Sequence, residues 1–278
     1  MKNEKAIFNL FDLTGCVAIV TGGLGQLGHQ YVKVLADAGT RVAIFDITNK
    51  VNSVIAPLLD SGEASLHVVD ITKRDDVRRG FEEVEKKFGI PTILINNAGI
   101  DAPPDAPAST TGPFEDFSEE VWDAVIDSHL KGMFFMSQEF IRHIRGTGKE
   151  GSIINVSSTY GVVSPDQSIY EFKRAGGEEF FKPVAYSVAK SGVLNFTRWL
   201  AEYCRARGVS VRVNTLVPGG VFNSQPPEFV EEYNKRTILG RMARVDEYNA
   251  AILFLASHKA SSYMTGSMLV IDGGWTAR

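Results

Sequence analysis

Hydrophobic positions along this chain follow two rhythms that alternate almost from end to end. Residues 17–20, 41–45, 66–69, 92–95, 152–156, 209–216 and 268–271 are short, near-continuous Val/Ile/Leu runs. That is the pattern of strands covered on both faces in a parallel sheet. Between them, 27–38, 74–88, 119–144, 184–207 and 246–256 carry apolar residues at helical spacing. Seven strands with intervening helices predict a doubly wound α/β fold, a Rossmann-type parallel sheet. No Ser/Pro-rich linker divides the 278 residues, so a single domain is expected. Two segments break the rhythm: a Pro-rich loop at 101–117 and a polar, aromatic insertion at 164–182. Both leave the carboxyl ends of strands, where open α/β sheets bind ligands, and so are expected to shape a substrate pocket. The competing reading is solvated decoration.

Composition narrows the class. The chain is 44% hydrophobic and 22% charged, enough for a sizeable core, and its net charge is −4. No basic stretch interleaves with aromatics, so nucleic acid is not an expected partner. No apolar run approaches the ~18 residues of a membrane helix, and the first residues lack the apolar core of a signal peptide. Cys16 and Cys204 form no metal or redox motif and are expected as buried thiols in a reducing, cytoplasmic setting. His29, His67, His143 and His258 show no ligand spacing, and no metal is assigned.

The chemistry starts with Tyr186 and Lys190, which at i and i+4 share one helix face. A free phenol keeps its proton until pH ~10. An ammonium about 4 Å away would favour the phenolate by up to roughly 4 kcal/mol at an effective dielectric near 20. Such a pair can act as a general acid/base; the plainer account is an aromatic anchor beside a solvated lysine. At the other end of the chain, Thr21-Gly22-Gly23-Leu24-Gly25-Gln26-Leu27-Gly28 joins the first strand to the first helix. Glycines there permit a tight turn and let the backbone approach a pyrophosphate at the helix N-terminus. Asp46 ends the second strand, 18 residues beyond Gly28. A carboxylate there can accept from adenosine ribose hydroxyls and repel a 2′-phosphate, which favours NAD(H) over NADP(H). Its alternative role is a cap for the following segment.

Six motifs in order now resemble one family. Thr21–Gly28, Asn96-Asn97-Ala98-Gly99, Ser157-Ser158, Tyr186 to Lys190, Asn214 with Pro218-Gly219, and Asp272-Gly273-Gly274 are similar to those of single-domain short-chain dehydrogenases/reductases. The resemblance covers essentially the whole chain. Its finer features resemble bacterial members of surface-sugar and sugar-acid metabolism. The resemblance implies that Tyr186 would exchange a proton with the substrate oxygen. Lys190 would lower the pKa of Tyr186 and hold the nicotinamide ribose, and Ser158 would donate to the developing oxyanion. It places Gly22, Gly25, Gln26, Leu27, Gly28, Asp46, Asp70 and Ile71 along the adenosine and pyrophosphate of NAD. Asn96, Asn97, Ala98, Gly99, Pro218, Gly219 and Val221 would follow towards the nicotinamide. The segment 222–239 resembles the family's substrate lid, and helices 119–144 and 184–207 resemble those that assemble its homodimers and homotetramers.

Three departures qualify the match. Gln26 stands where the family usually has glycine, and its side chain could reach a phosphate or the substrate. His129 stands where the family generally has a catalytic asparagine; it could titrate near pH 6.5 and move protons, or simply pack in the amide's place. Ser158 and Tyr186 are 28 residues apart, a long spacing created by the insertion, which carries Lys173, Arg174 and Lys182. Those cations beside Tyr170, Phe172, Phe180 and Phe181 would suit a carboxylate- or phosphate-bearing sugar. A solvated loop or a subunit contact explains them equally. The expected activity is oxidation of a secondary alcohol on a polar, sugar-like substrate. The alternatives are a 3-oxoacyl or other carbonyl reductase, and a dinucleotide-sensing protein without turnover.

Overall fold

Seven parallel strands form one sheet: β1 (Val17–Thr21), β2 (Arg41–Asp46), β3 (Ala64–Val68), β4 (Ile93–Asn96), β5 (Gly151–Val156), β6 (Val211–Pro218) and β7 (Met268–Ile271). Their order is β3-β2-β1-β4-β5-β6-β7, so the winding reverses between β1 and β4. The computed structural model describes residues 8–101 and 110–278. The expected doubly wound architecture is what it shows, as a single domain. Side chains of alternate strand residues point to opposite faces. In β1, Ala18 and Val20 therefore enter one core with Tyr31, Leu35, Ile252 and Leu255. Val17 and Ile19 enter the other with Phe81, Phe140, Leu200 and Cys204. Two cores, one per face, explain why the central strands read as unbroken apolar runs. The edge strand β7 departs from this: Met268 and Val270 are 37% and 39% exposed, so one of its faces is open.

The helices that position the site are α1 (Gly28–Asp37), α2 (Arg74–Phe88), α3 (Glu119–Ile126), α4 (Gly132–Ile144), α5 (Val184–Ala206), α6 (Pro227–Arg236) and α7 (Asn249–Ala256). The sequence predicts one helix over 119–144, but a π-helical turn at Asp127–Lys131 divides it into α3 and α4. The widened turn leaves the apolar rhythm almost unbroken, which is why the sequence pattern does not reveal it. The segment expected as a loose lid contains α6, which starts at Pro227, a residue whose fixed φ suits the first helical turn. Within the insertion, Glu171–Ala175 is a short helix. Neither cysteine is bonded; Cys204 is buried as expected, whereas Cys16 is partly exposed. Among the described residues, no helix is long and apolar enough to cross a membrane.

Candidate active site

The turn after β1 is built for close approach. Gly22 adopts φ +60°, a backbone conformation that L side chains rarely occupy. A Cβ on Gly28 would lie 2.0 Å from the Gly22 carbonyl oxygen, so only glycine lets α1 start against the turn. Asn97 fastens the turn from β4: its Nδ2 donates to the carbonyl oxygens of Thr21 and Gly22 at 3.0 and 3.2 Å. The Asp46 carboxylate accepts from Leu24 N at 3.1 Å and from Thr48 N at 3.2 Å. It therefore caps the next segment, as the alternative reading had it, and also braces the glycine turn.

A cleft of about 900 Å³ crosses the carboxyl ends of the strands at the β1/β4 reversal. Gly22, Gly25, Gln26, Leu27, Asp46, Asp70 and Ile71 line one end. Asn97, Ala98, Gly99, Pro218, Gly219 and Val221 line the middle, and His129, Ser158, Tyr186 and Lys190 the far end. Two expected contacts are corrected. Gly28 lies beneath the turn, packed on Gly22, and does not line the cleft. Asn96 is buried in the sheet, donating to Asn155 Oδ1 at 2.8 Å. Gln26 lines the cleft, but its Nε2 donates to the Phe222 carbonyl at 3.0 Å, so the amide is engaged with the segment after β6. The dimensions and bare glycine backbone suit a dinucleotide, with its anionic centre at the N-terminus of α1.

At the far end, Ser158 caps a short helix, Thr159–Val162, by accepting from Tyr160 N at 3.2 Å. The Ser158 side chain also acts on the Tyr186 phenol, favouring its ionised form. The α5 helix is pinned against this turn. Ser157 Oγ donates to the Lys190 carbonyl at 2.7 Å, and Ser191 Oγ to the Gly161 carbonyl at 3.0 Å. The insertion therefore bulges without separating Ser158 from Tyr186. Lys190 Nζ donates to the Val156 carbonyl at 2.9 Å and lies 5.6 Å from the Tyr186 ring centre.

The electrostatics differ from those expected of the pair. Burial and the nearby Asp101 carboxylate hold the Tyr186 phenol above its ordinary pKa, against the opposing effect of Ser158. Burial also pulls Lys190 down to about 8. With the ammonium turned to a carbonyl, removal from water outweighs its pull on the phenol. His129 is 3% exposed; its Nε2 bonds the Ile100 carbonyl at 2.8 Å, and its ring meets Tyr186 edge-on at 5.5 Å. Burial, then the Lys190 charge, pulls its pKa down to about 3. Of the two readings of His129, titration near pH 6.5 or packing in the amide's place, this enclosure favours the packed one. Gly99 makes room for it, since a Cβ there would lie 2.0 Å from His129 Cε1.

The insertion and α6 together roof the substrate end. Tyr170 packs at a tilt against Phe180 and Phe229, ring centres 4.6 and 5.6 Å away. Arg236 on α6 binds Asp166 Oδ2 and Ser168 Oγ, each at 2.6 Å. Of the three cations for which a substrate surface was one of the readings, two are bonded within the insertion. Lys173 pairs with Glu178 at 2.8 Å, and Arg174 donates to the Gln167 and Phe180 carbonyls at 2.7 and 3.0 Å. Lys182 does line the cleft, paired with Asp101 at 2.5 Å and 4.8 Å from the Tyr186 ring centre. Asp101, which lines the cleft, opens the 101–117 loop expected to shape a pocket, whose residues 102–109 lie outside the described ones. Tyr160, two residues past Ser158, also lines the cleft and was given no role by the sequence.

Comparison with known proteins is consistent with this geometry. The family described as "short chain dehydrogenase" matches residues 16–228. The cis-4-hydroxycyclohexanecarboxylate dehydrogenase of Sinomonas cyclohexanicum is 33% identical over 94% of this chain and 96% of its own. The 3-oxoacyl-acyl-carrier-protein reductase of Thermotoga maritima is 30% identical over 94% and 98%. A short-chain dehydrogenase of Leptospira borgpetersenii, solved with NAD+, superposes with a TM-score of 0.82 at 33% identity, covering 95% of this chain and 94% of that one. A gluconate 5-dehydrogenase of Burkholderia cenocepacia, solved with NADP and tartrate, gives 0.83 at 28%, covering 98% and 99%. With the sheet order, the cleft and these matches in agreement, the chain belongs to the short-chain dehydrogenase family and is an oxidoreductase acting on CH–OH groups.

Proposed function

We propose that this protein is an NAD(H)-dependent dehydrogenase that oxidises a secondary alcohol on a polar substrate, a sugar or sugar acid, to a ketone. The observation that carries the reading is the joining of Ser158, Tyr186 and Lys190 at one end of a cleft whose other end holds Asp46. Residues along the cleft would hold a nicotinamide dinucleotide, which would supply the hydride acceptor. The protein holds and moves the proton. Ser158 Oγ would orient the substrate oxygen. Burial holds Tyr186 Oη as the neutral phenol in the open cleft. It would release its own proton once a positively charged nicotinamide lies beside it and then take the hydroxyl proton, with Lys190 supporting the charge and the ribose. The deep seat of Lys190 and the α5 pinning keep water from loosening this arrangement.

His129 supports rather than shuttles in this reading, because its ring is neutral and its Nε2 is engaged. The variant His129→Asn is expected to keep half or more of the activity. The wild-type pH–rate profile should carry no inflection near pH 6.5. A hundredfold loss would contradict this.

The reading favours NAD over NADP because Asp46 lines the cleft beside the glycine turn, and a carboxylate there would repel a 2′-phosphate. Removing the charge but keeping an acceptor, Asp46→Asn should lower the ratio of kcat/KM for NAD+ over NADP+ at least tenfold. An unchanged ratio, measured with both nucleotides, would remove the argument.

A 3-oxoacyl substrate is the second reading, supported by the Thermotoga maritima relative. The polar Asp101–Lys182 pair at the substrate end favours the first. The oligomer expected from the resemblance is proposed as a dimer or tetramer. The 61%-exposed Trp199, stacked on Tyr203 on the open face of α5, supports it. The deciding experiment follows NADH formation across sugars, sugar acids, polyols and hydroxyacyl esters, with Tyr186→Phe as the blank. Turnover confined to hydroxyacyl esters would select the second reading; no turnover on any alcohol or ketone would overturn both.

A further inference from the structure

Among the described residues lining the cleft, Lys182 and Lys190 are the only cations. Lys190 gives one N–H to the Val156 carbonyl, and the proposed reaction assigns it to Tyr186 and the nucleotide ribose. Lys182 is held in place from three sides. Its backbone N–H donates to Gln167 Oε1 at 2.9 Å, its carbonyl accepts from Gln167 Nε2 at 3.3 Å, and its ammonium lies over the Tyr186 ring. Its ion-pair partner among the described residues, Asp101, is placed very differently. The Lys182 side chain is 6% exposed, whereas that of Asp101 is 47% exposed, at the cleft wall.

That asymmetry has a physical consequence. A buried ammonium left without an anion is strongly destabilised, so Lys182 requires a carboxylate or an equivalent acceptor. A half-exposed carboxylate can return to water at little cost. The anionic half of the pair is therefore the exchangeable half, and the exchange site lies beside the phenol that handles the proton.

Building on the proposed alcohol oxidation, we propose that Lys182 is the substrate-recognition residue for a hydroxy acid, and that Asp101 is the resident anion which the substrate carboxylate displaces. The substrate then spans from Lys182 to Tyr186 and Ser158. Its carboxylate is read at one end and its hydroxyl at the other. Lys173 and Arg174 cannot share this task, because both are bonded within the insertion.

The test uses matched pairs that differ only in charge: cis-4-hydroxycyclohexanecarboxylate and gluconate, each against its methyl ester. Charge-assisted hydrogen bonds of this kind correspond to roughly 10- to 100-fold in binding. Wild-type kcat/KM for the preferred acid should exceed that for its ester by about that factor. In Lys182→Met the acid-to-ester ratio should fall to near one, mainly through KM for the acid. Lys182→Arg should restore most of the ratio. Asp101→Asn should lower KM for the acid severalfold, since it removes the competing anion. Binding of unreactive tartrate to the NADH complex, followed by calorimetry, should track the same order among the variants.

A wild-type enzyme that oxidises neutral alcohols but shows no preference for either acid would overturn this inference and leave the alcohol-dehydrogenase reading standing. So would equal losses on acid and ester in Lys182→Met, or an Asp101→Asn variant that binds the acid more weakly. Absence of turnover on every alcohol would instead sink the functional reading beneath it.

Discussion

Tyr186→Phe should lower kcat/KM for alcohol oxidation at least a thousandfold while NADH still binds within about threefold of wild type. The substitution keeps the ring, and with it the edge-on contact to His129 and the positions under Lys182 and Lys190. It removes one oxygen. That oxygen is the proton acceptor of the proposed reaction. Proton transfer by a positioned group contributes on the order of 10²–10⁴ in rate. Ser158 retains its bond to Tyr160 N, so the turn should hold its shape. Steady-state rates with NADH fluorescence titration check both halves. A variant within tenfold of wild type would show that another group moves the proton.

The second large effect is expected from one methyl group. Gly28→Ala puts a carbon 2.0 Å from the Gly22 carbonyl oxygen and 2.8 Å from Gly23 Cα, all backbone. No side chain can rotate away, so α1 or the turn must shift. Overpacking of this kind costs about 1–3 kcal/mol or more. The shift falls on the element that would receive the pyrophosphate, and NADH affinity should drop by more than a hundredfold, with a lowered Tm. Gly25→Ala is the control: its added carbon meets only the Gly22 oxygen, at 3.2 Å. It should fold normally and bind NADH with a smaller loss. If both variants bind alike, Gly28 does not set the turn's geometry.

The order of elements was legible because burial on both faces writes itself as continuous Val/Ile/Leu runs, and β1, β4, β5 and β6 obey it fully. Helix α6 was not, since Pro227 and the Glu-rich run after it look like loop chemistry. The tertiary contacts of Phe229, Tyr233 and Arg236 are what give it a seat. The site residues were legible as motifs. What they do electrically was not, because the pKa directions of Tyr186, Lys190 and His129 depend on how deeply each is enclosed. Among three cations in the insertion, only geometry separates Lys182 from Lys173 and Arg174.

One bond links the two halves of the cleft. Gln26, in the turn beneath the dinucleotide end, holds the Phe222 carbonyl at the start of the roof, 196 residues away along the chain. Where one contact is shared by two binding regions, whatever tightens one stabilises the other by the same free energy. The expected signature is reciprocal: bound nucleotide lowers the substrate's Kd by the same factor as bound substrate lowers the nucleotide's, and Gln26→Ala would shrink both factors together.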